Sequence, residues 1–193
     1  MIYKIYGKMV NNTFPNQQTM KPLIAVCGSD GDDEKLNEKT LKLAEEVGAE
    51  IAKRGCILIC GGRSGVMEAA CKGAKREGGT TVGILPFSKS EANPYIDIAI
   101  ESGLGHFRNY VIVSSADAVI GICGRWGTLN EISTAIILGK PTILIEGSGG
   151  VVDDIVHNKL LKGVEGNYHV AQNAKDAVDV AFRFIKDSRG FRD

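Results

Sequence analysis

The sequence predicts an α/β fold, in which a doubly wound parallel sheet lies between helices in three layers. Short runs rich in Ile and Val recur along the chain without alternating polar positions, as in parallel strands that are buried on both faces. They occupy residues 23–27, 56–60, 80–85, 118–123 and 141–146. Segments with helical spacing lie between these runs. Strands that alternate with helices indicate βαβ crossovers and therefore a parallel sheet.

The first helical segment follows the first strand. Its apolar residues recur at helical spacing: Leu36, Leu43, Ala44, Val47 and Ile51. We expect Asp32 or Asp33 to cap this helix and Gly55 to end it. Shorter helices are predicted over residues 66–77, 107–115, 128–138 and 174–186. The apolar face of the last segment predicts packing against the core.

Length and composition indicate an ordinary globular protein. The chain has 193 residues, of which 44% are hydrophobic and 24% charged. We expect a single domain over residues 20–193, preceded over 1–19 by an extension that is loosely ordered or forms an edge strand. Formal net charge is zero, which argues against nucleic acid as a partner but leaves small anionic ligands open. No apolar run is long enough to cross a membrane.

The cysteines and histidines favour neither a disulfide framework nor a metal site. There are five cysteines, an odd number, without a C-x-x-C pair, and the sequence shows no secretory signal. This usage is typical of free thiols in a reducing compartment and predicts a cytoplasmic protein. The three histidines lack the spacing of metal ligands, so no metal is expected.

Three glycine-rich segments, CGSDG (27–31), CGGRSG (60–65) and CGRWG (123–127), follow predicted strands. In open parallel sheets, ligands bind beyond the carboxyl ends of the strands. Glycine permits close approach of a ligand to the backbone, and a helix that starts directly afterwards offers unpaired N–H groups to an anion. The alternative is that these glycines only make tight turns. Three such segments predict a phosphate- or nucleotide-binding cleft in this domain, with these candidate residues: Gly28, Ser29, Gly61, Gly62, Arg63, Gly124, Gly127 and Thr128.

Two common nucleotide sites are excluded by their patterns. The first strand is not followed by G-x-G-x-x-G, and the second strand has no acidic residue at its end for a ribose, so a dinucleotide site is not expected. The chain also lacks G-x-x-x-x-G-K-[ST], which argues against a P-loop kinase or ATPase.

From about residue 20 onward, the chain resembles the LONELY GUY (LOG) family of nucleoside 5′-monophosphate phosphoribohydrolases. That superfamily also includes molybdenum-cofactor carriers and DprA/Smf-related proteins. Three motifs support the resemblance: CGSDG, GGRSGVM (61–67) and the segment that runs from Arg108 to Glu131 through GRWGTLNE. The spacing from Arg108 to Glu131 matches that of the two catalytic residues of the family. The chain departs from the family motifs at Asn109, Ile112 and Arg125, which indicates a divergent branch near the cofactor carriers.

The resemblance implies a Rossmann-like fold and a homodimer or higher homo-oligomer. It further implies hydrolysis of an N-glycosidic bond to free base and ribose 5-phosphate, with Arg108 and Glu131 as catalytic residues and no required cofactor. The alternative is a non-catalytic carrier or sensor that binds a nucleotide or a molybdopterin-type ligand. The label "possible lysine decarboxylase" that this family often carries finds no support in the residues.

The roles of Glu131, Arg108 and Trp126 can each be interpreted in more than one way. Thr128 and Glu131 together fit a capping box, in which the glutamate only supports the start of a helix. Arg108 could instead form an exposed salt bridge on a helix surface. Trp126 could stack on a base or pterin, cover the loop, or contact a second subunit.

Overall fold

The computed structural model describes residues 20–157 and 166–189. Within them the chain forms seven strands: β1 (Leu23–Gly28), β2 (Ile57–Cys60), β3 (Thr81–Leu85), β4 (Ile98–Glu101), β5 (Ala118–Ile122), β6 (Thr142–Ile145) and β7 (His169–Ala171). The α-helices are α1 (Glu38–Lys53), α2 (Val66–Arg76), α3 (Arg108–Ser115), α4 (Trp126–Ile137), α5 (Gly150–Val156) and α6 (Ala174–Arg189). Short 3-10 helices cover Lys89–Glu91 and Gly105–Phe107.

The strands form one parallel sheet in the order β4-β3-β2-β1-β5-β6-β7. This confirms the doubly wound α/β fold. All five predicted strands are present, and β5 is buried along its whole length. The strands β4 and β7 were missed. Both lie at the edges of the sheet, and β4 is mostly exposed, so neither forms the continuous buried run that indicated the others.

Alternate residues of the central strand pack into two different cores. Ile24 and Val26 of β1 face α1, α2 and α6, whereas Ala25 and Cys27 face α3 and α4. A further apolar cluster joins α4, α5 and β6. Helices therefore cover both faces of the sheet, and the fold has the predicted three layers. The apolar face of α6 packs into the first core as expected.

The contact between α1 and α2 depends on two glycines. A Cβ atom at Gly48 would lie 1.8 Å from the backbone oxygen of Ala70, and one at Gly73 would lie 1.8 Å from that of Glu45. Real atoms cannot approach so closely. The two helices thus cross with their backbones in direct contact, because neither crossing point carries a side chain.

The start of α1 differs from the prediction. Asn37, not Asp32 or Asp33, caps the helix, and its side chain accepts a hydrogen bond from the Thr40 amide at 3.0 Å. The two aspartates belong to the loop between β1 and α1, so this loop is longer than expected. Asp32 lies at the edge of the sheet where a ligand is predicted to bind, whereas the Asp33 carboxylate accepts hydrogen bonds from Ser29 and the Lys35 amide within the loop.

The chain reverses its direction of winding at β1. From β1 it adds β2, β3 and β4 on one side, and then β5, β6 and β7 on the other. The topological switch point therefore lies between β1 and β5, where open α/β sheets bind ligands. The extension predicted over residues 1–19 lies outside the described residues. No helix of the described chain is long and apolar enough to span a membrane.

Candidate functional site

The loops after β1, β2 and β5 meet at the switch point, because these three strands are neighbours in the sheet. Together with the starts of α3 and α4 they line a cavity of about 250 Å³. Eight of the predicted site residues line it: Gly28, Ser29, Gly61, Arg63, Arg108, Gly127, Thr128 and Glu131. The structure thus brings together side chains and loops that lie about a hundred positions apart in the sequence.

The other two predicted residues shape the loops from behind. Gly124 adopts a φ of 98°, and a Cβ there would lie 2.3 Å from the Cβ of Thr128. Gly62 has a φ of 76°, and its carbonyl accepts a hydrogen bond from Asn93 Nδ2 at 3.1 Å. Both glycines therefore set the backbone path, while the residues beside them face the cavity.

Glu131 lies in the second turn of α4 at the floor of the cavity. Its exposed fraction is only 8%. Burial raises its pKa to about 7, although a hydrogen bond with the Cys27 thiol and the charge of Arg108 both act to lower it. A carboxyl group with this pKa exchanges a proton readily near neutral pH, as a general acid or base must.

Arg108 is buried beside Glu131, with an exposed fraction of 7%. Its Nη1 donates to the Gly105 carbonyl at 3.0 Å, and its buried Nε has no hydrogen-bond partner among the described residues. Burial lowers the pKa of this guanidinium, while the charge of Glu131 acts to raise it. The exposed surface salt bridge considered for Arg108 is therefore wrong. Buried N–H groups normally have a hydrogen-bond partner, so this donor is unusual.

Gly61 lets the guanidinium of Arg108 lie against the backbone. A Cβ at Gly61 would lie 3.4 Å from Arg108 Nη2 and 2.9 Å from the sulfur of Met67. The second glycine-rich loop thus makes room for the buried arginine.

Ser29 connects the first and third loops. Its hydroxyl donates to Asp33 Oδ2 at 2.6 Å, and its oxygen accepts from the Gly124 amide at 2.8 Å. Burial acts to raise the pKa of Asp33, but the hydrogen bonds from Ser29 and the Lys35 amide outweigh it and lower the pKa. While Asp33 is ionised, Ser29 donates its hydroxyl hydrogen to the Asp33 carboxylate and not to a ligand. The serine therefore supports the loop after β5 in addition to lining the cavity.

Two further arginines lie at the rim of the cavity. Arg63 Nη1 lies 3.3 Å from Asp30 Oδ2. Arg125 forms an ion pair with Asp32, and its Nε lies 3.8 Å from Asp33 Oδ2. With Arg108, three guanidinium groups line one small cavity, and two of them are partly exposed and can rotate toward an anion.

The start of α4 excludes the capping box considered for Glu131. The helix begins at Trp126 with Arg125 at the N-cap, so Thr128 is already the third helical residue. Glu131 therefore lies a full turn beyond the helix start. The amides of Gly127 and Thr128 belong to the first turn, where N–H groups have no acceptor within the helix. They adjoin the cavity together with the positive end of the helix dipole.

Asn109, which replaces the lysine of the family motif, joins α3 to α4. Its Nδ2 donates to Asn130 Oδ1 at 3.1 Å and to the Gly127 carbonyl at 3.4 Å. Ile112, another departure from that motif, is fully buried in the core. Relative to the family motif, a charged lysine is thus replaced by a neutral asparagine that links two helices. A flexible methionine is replaced by an isoleucine packed in the core.

The sequence analysis missed several residues that line or support the site, among them Cys27 and Asp33. Both contacts are tertiary, since Cys27 meets a helix about a hundred residues later and Asp33 acts on Gly124 through Ser29. Only the aspartate could have been found from the sequence, as one of three consecutive acidic residues after the first glycine loop. The described residues hold no group of three or more His, Cys, Asp or Glu side chains placed to bind a metal.

A family model described as the SLOG cluster4 family matches residues 21–178. The chain belongs to the SLOG cluster4 family. This confirms the resemblance to the LOG-like superfamily. An Archaeoglobus fulgidus protein is 46% identical over 58% of this SLOG chain and 78% of its own length.

Two relatives with descriptive names point in different directions. The cytokinin riboside 5′-monophosphate phosphoribohydrolase of Mycobacterium tuberculosis is 34% identical over 56% of this SLOG chain. The chain spans 64% of that enzyme, just under two thirds of its length. The solved molybdenum cofactor binding protein of Rippkaea orientalis has a TM-score of 0.74 and 35% identity, covering 86% of this chain and 99% of its own. The similarities are therefore compatible with a phosphoribohydrolase and with a protein that binds a molybdenum cofactor.

Proposed function

We propose that this SLOG protein hydrolyses the N-glycosidic bond of a nucleoside 5′-monophosphate, releasing the free base and ribose 5-phosphate. The observation that carries the proposal is the pair of Glu131 and Arg108, buried together at the floor of a cavity whose rim offers anion-binding groups. The relative named as a cytokinin riboside 5′-monophosphate phosphoribohydrolase supports it.

The phosphate is bound at the start of α4. The amides of Gly127 and Thr128 offer donors, and the helix dipole favours a dianion there. Arg63 and Arg125 at the rim add positive charge, exchanging part of their contact with the neighbouring aspartates for the phosphate oxygens. Fixing the phosphate fixes the sugar, so the bond to be cleaved is held next to Glu131.

The chemistry is a displacement at C1′ of the ribose. As the C1′–N bond breaks, its electron pair leaves with the base, which takes up a proton, and positive charge develops on the sugar. Ionised Glu131 stabilises that charge and accepts a proton from the attacking water, so that the new C1′–O bond forms without free hydroxide. Arg108, which lines the cavity beside Glu131, holds the ribose hydroxyls or stabilises the departing base with its guanidinium.

The ionisation of Glu131 predicts how hydrolysis depends on pH. A general base must be deprotonated, and burial raises the pKa of Glu131 to about 7. We therefore expect kcat/KM to increase roughly tenfold per pH unit below pH 7 and to level off above it. A rate that is independent of pH across this range would contradict the assignment of Glu131 as the base.

The central test is Glu131→Gln, which keeps the shape of the side chain and removes the charge. The variant and the natural protein are incubated with a panel of nucleoside 5′-monophosphates, and both free base and the thermal shift are measured. We expect base release to fall by at least about a hundredfold while the thermal shift remains. Glu46→Gln, at an exposed position of α1, serves as the matched control and should release base normally. Undiminished release by Glu131→Gln would reject the proposal.

A second candidate is a carrier that binds a molybdopterin-type ligand without cleaving it. The similarity to the Rippkaea orientalis protein, which covers 86% of this chain, favours it. Such a ligand combines a phosphate with a planar fused ring, so the anion-binding rim fits it as well as a nucleotide. No resident cofactor is required in either case. Stabilisation by ligands without release of any base from the panel would favour the carrier over the hydrolase.

We also propose that the protein acts as a homodimer or higher homo-oligomer on its small phosphorylated ligand in the cytoplasm. The resemblance to the LOG family supports the oligomer, and the five buried free cysteines are compatible with a reducing compartment. Nucleic acid is not part of the proposal, because the formal net charge is zero. A molar mass of one chain in solution would overturn the oligomer.

A further inference from the structure

A second recess, of about 540 Å³, lies between α3 and α4 on the outer side of the cavity. Three aromatic side chains border it, Phe107, Tyr110 and Trp126. Their exposed fractions are 83%, 57% and 81%. Large aromatic groups are costly to expose to water, and a cluster of them at a concave surface marks a binding site more often than chance does. We call this the aromatic recess.

The aromatic recess is continuous with the polar cavity. His106, Asn109 and Gly127 line both. A molecule whose phosphate contacts the amide of Gly127 can therefore extend past Asn109 into the recess. The two spaces differ in character, since arginines and carboxylates line the first, and aromatic rings and amides the second.

The recess also offers one hydrogen-bond acceptor and one hydrogen-bond donor, on two neighbouring asparagines. Asn109 uses its amide hydrogens on Gly127 and Asn130, so its own carbonyl oxygen has no partner among the described residues. The Asn130 carbonyl accepts one of those bonds, and its amide nitrogen likewise has no partner within the described chain. An acceptor and a donor on adjacent amides match the edge of a nitrogen heterocycle, which presents both kinds of group.

We propose that the aromatic recess binds the planar heterocycle of the phosphorylated ligand and that this heterocycle is a fused, two-ring system such as a purine or a pterin. The inference rests on the proposed function, because it places the ring relative to a phosphate at the start of α4. Trp126 and the two other aromatic groups supply faces for stacking, and the pair of asparagines contacts the ring edge. A single-ring pyrimidine would leave part of the recess unfilled and bind less tightly.

The sequence makes this inference directly measurable, because Trp126 is the one tryptophan of the chain. Its fluorescence reports on the recess without interference from other indoles. The natural protein is titrated with ribose 5-phosphate and with carbocyclic AMP, in which the sugar ring oxygen is replaced so that the bond to the base resists hydrolysis. Both ligands should bind by calorimetry, but only carbocyclic AMP should quench the tryptophan emission.

Substitution then separates the recess from the polar cavity. Trp126→Ala should weaken carbocyclic AMP roughly tenfold, the effect of losing one stacked ring, and leave ribose 5-phosphate unchanged. Trp126→Phe should recover part of the affinity. Ile137→Ala, at an exposed apolar position on the same helix, is the matched control and should bind both ligands normally.

Three results would overturn the inference. If both ligands bind equally and Trp126→Ala affects neither, the recess does not hold the ring, although the proposed phosphate site stands. If neither ligand binds, the proposed function falls and the recess assignment with it. If the tryptophan emission depends on protein concentration and Trp126→Ala changes the molar mass in solution, the recess is a contact between two copies of the chain.

Discussion

Replacing Glu131 by Gln should stabilise the protein in a manner that depends on pH. The side chain is buried, and its pKa rises from an ordinary 4.5 to about 7 in the fold. Below pH 4.5 the carboxyl is protonated in both states. As pH rises toward 7, the unfolded chain ionises first, so the stability of the folded protein decreases and then levels off. The pKa difference, at about 1.4 kcal/mol for each pH unit, amounts to about 3 kcal/mol.

Gln cannot ionise, so the Glu131→Gln variant does not lose stability as the pH rises toward 7. At about pH 4 the variant and the natural protein should unfold at similar temperatures, whereas at about pH 9 the variant should unfold about 6–12 °C higher. Differential scanning calorimetry across this pH range measures the effect, and Glu46→Gln controls for the loss of a carboxylate at an exposed position. A difference in unfolding temperature that does not change with pH, or a lower value for Glu131→Gln at about pH 9, would refute the reasoning.

Four further predictions concern the loops and the helix crossing. Ser29→Ala removes the acceptor of the Gly124 amide and should lower the free energy of unfolding by about 1–3 kcal/mol in denaturant titrations. Gly124→Ala places a Cβ against the next helical turn at a positive φ and should cost about 3 kcal/mol. Gly127→Ala meets no atom within 4 Å, so stability should rise by up to about 1 kcal/mol while calorimetry shows weaker ribose 5-phosphate binding. Gly48→Ala forces two helix backbones apart and should lower the free energy of unfolding by about 3 kcal/mol.

Each of these substitutions has a distinct contrary result. Normal stability of Ser29→Ala would mean that water replaces the hydroxyl. Equal stabilities of Gly124→Ala and Gly127→Ala would show that the positive φ of Gly124 carries no constraint, and unchanged ligand affinity of Gly127→Ala would place the phosphate elsewhere. A normal unfolding midpoint for Gly48→Ala would mean that α1 and α2 pack less closely than described.

The central layer of the fold could be predicted because buried parallel strands have a distinctive composition. AVIGI at β5 is apolar at every position, and all of it is buried. IAIE at β4 is just as short but lies at the edge with most of its residues exposed, so its pattern is shared with many loops. The prediction that Asp32 or Asp33 caps α1 was also wrong. Asp33 is a good capping residue in isolation, but hydrogen bonds with Ser29 and the Lys35 amide within the same loop hold it there instead.

The candidate site was predictable where the motif spacing carried information. Arg108 and Glu131 were identified from their separation and both line one cavity, although their catalytic roles remain predictions. The effect of the Cys27 thiol on the pKa of Glu131 could not be foreseen, because strand and helix meet there only through the sheet topology. The hydrogen bond from the Gly124 amide to Ser29 could not be foreseen either, because it joins two loops that lie far apart in the sequence.

The switch point between β1 and β5 makes the cavity a property of the whole sheet. One wall follows β1, and the opposite wall follows β5 about ninety residues later, so neither half of the chain can form the cavity alone. Any molecule held there is a noncovalent cross-link between the two halves. Its binding energy adds in full to the resistance against global unfolding, about 2.7 kcal/mol when the free ligand is at a hundred times its Kd. Occupancy would accordingly protect amides in β3 and β6, far from the bound molecule, against hydrogen exchange through complete unfolding.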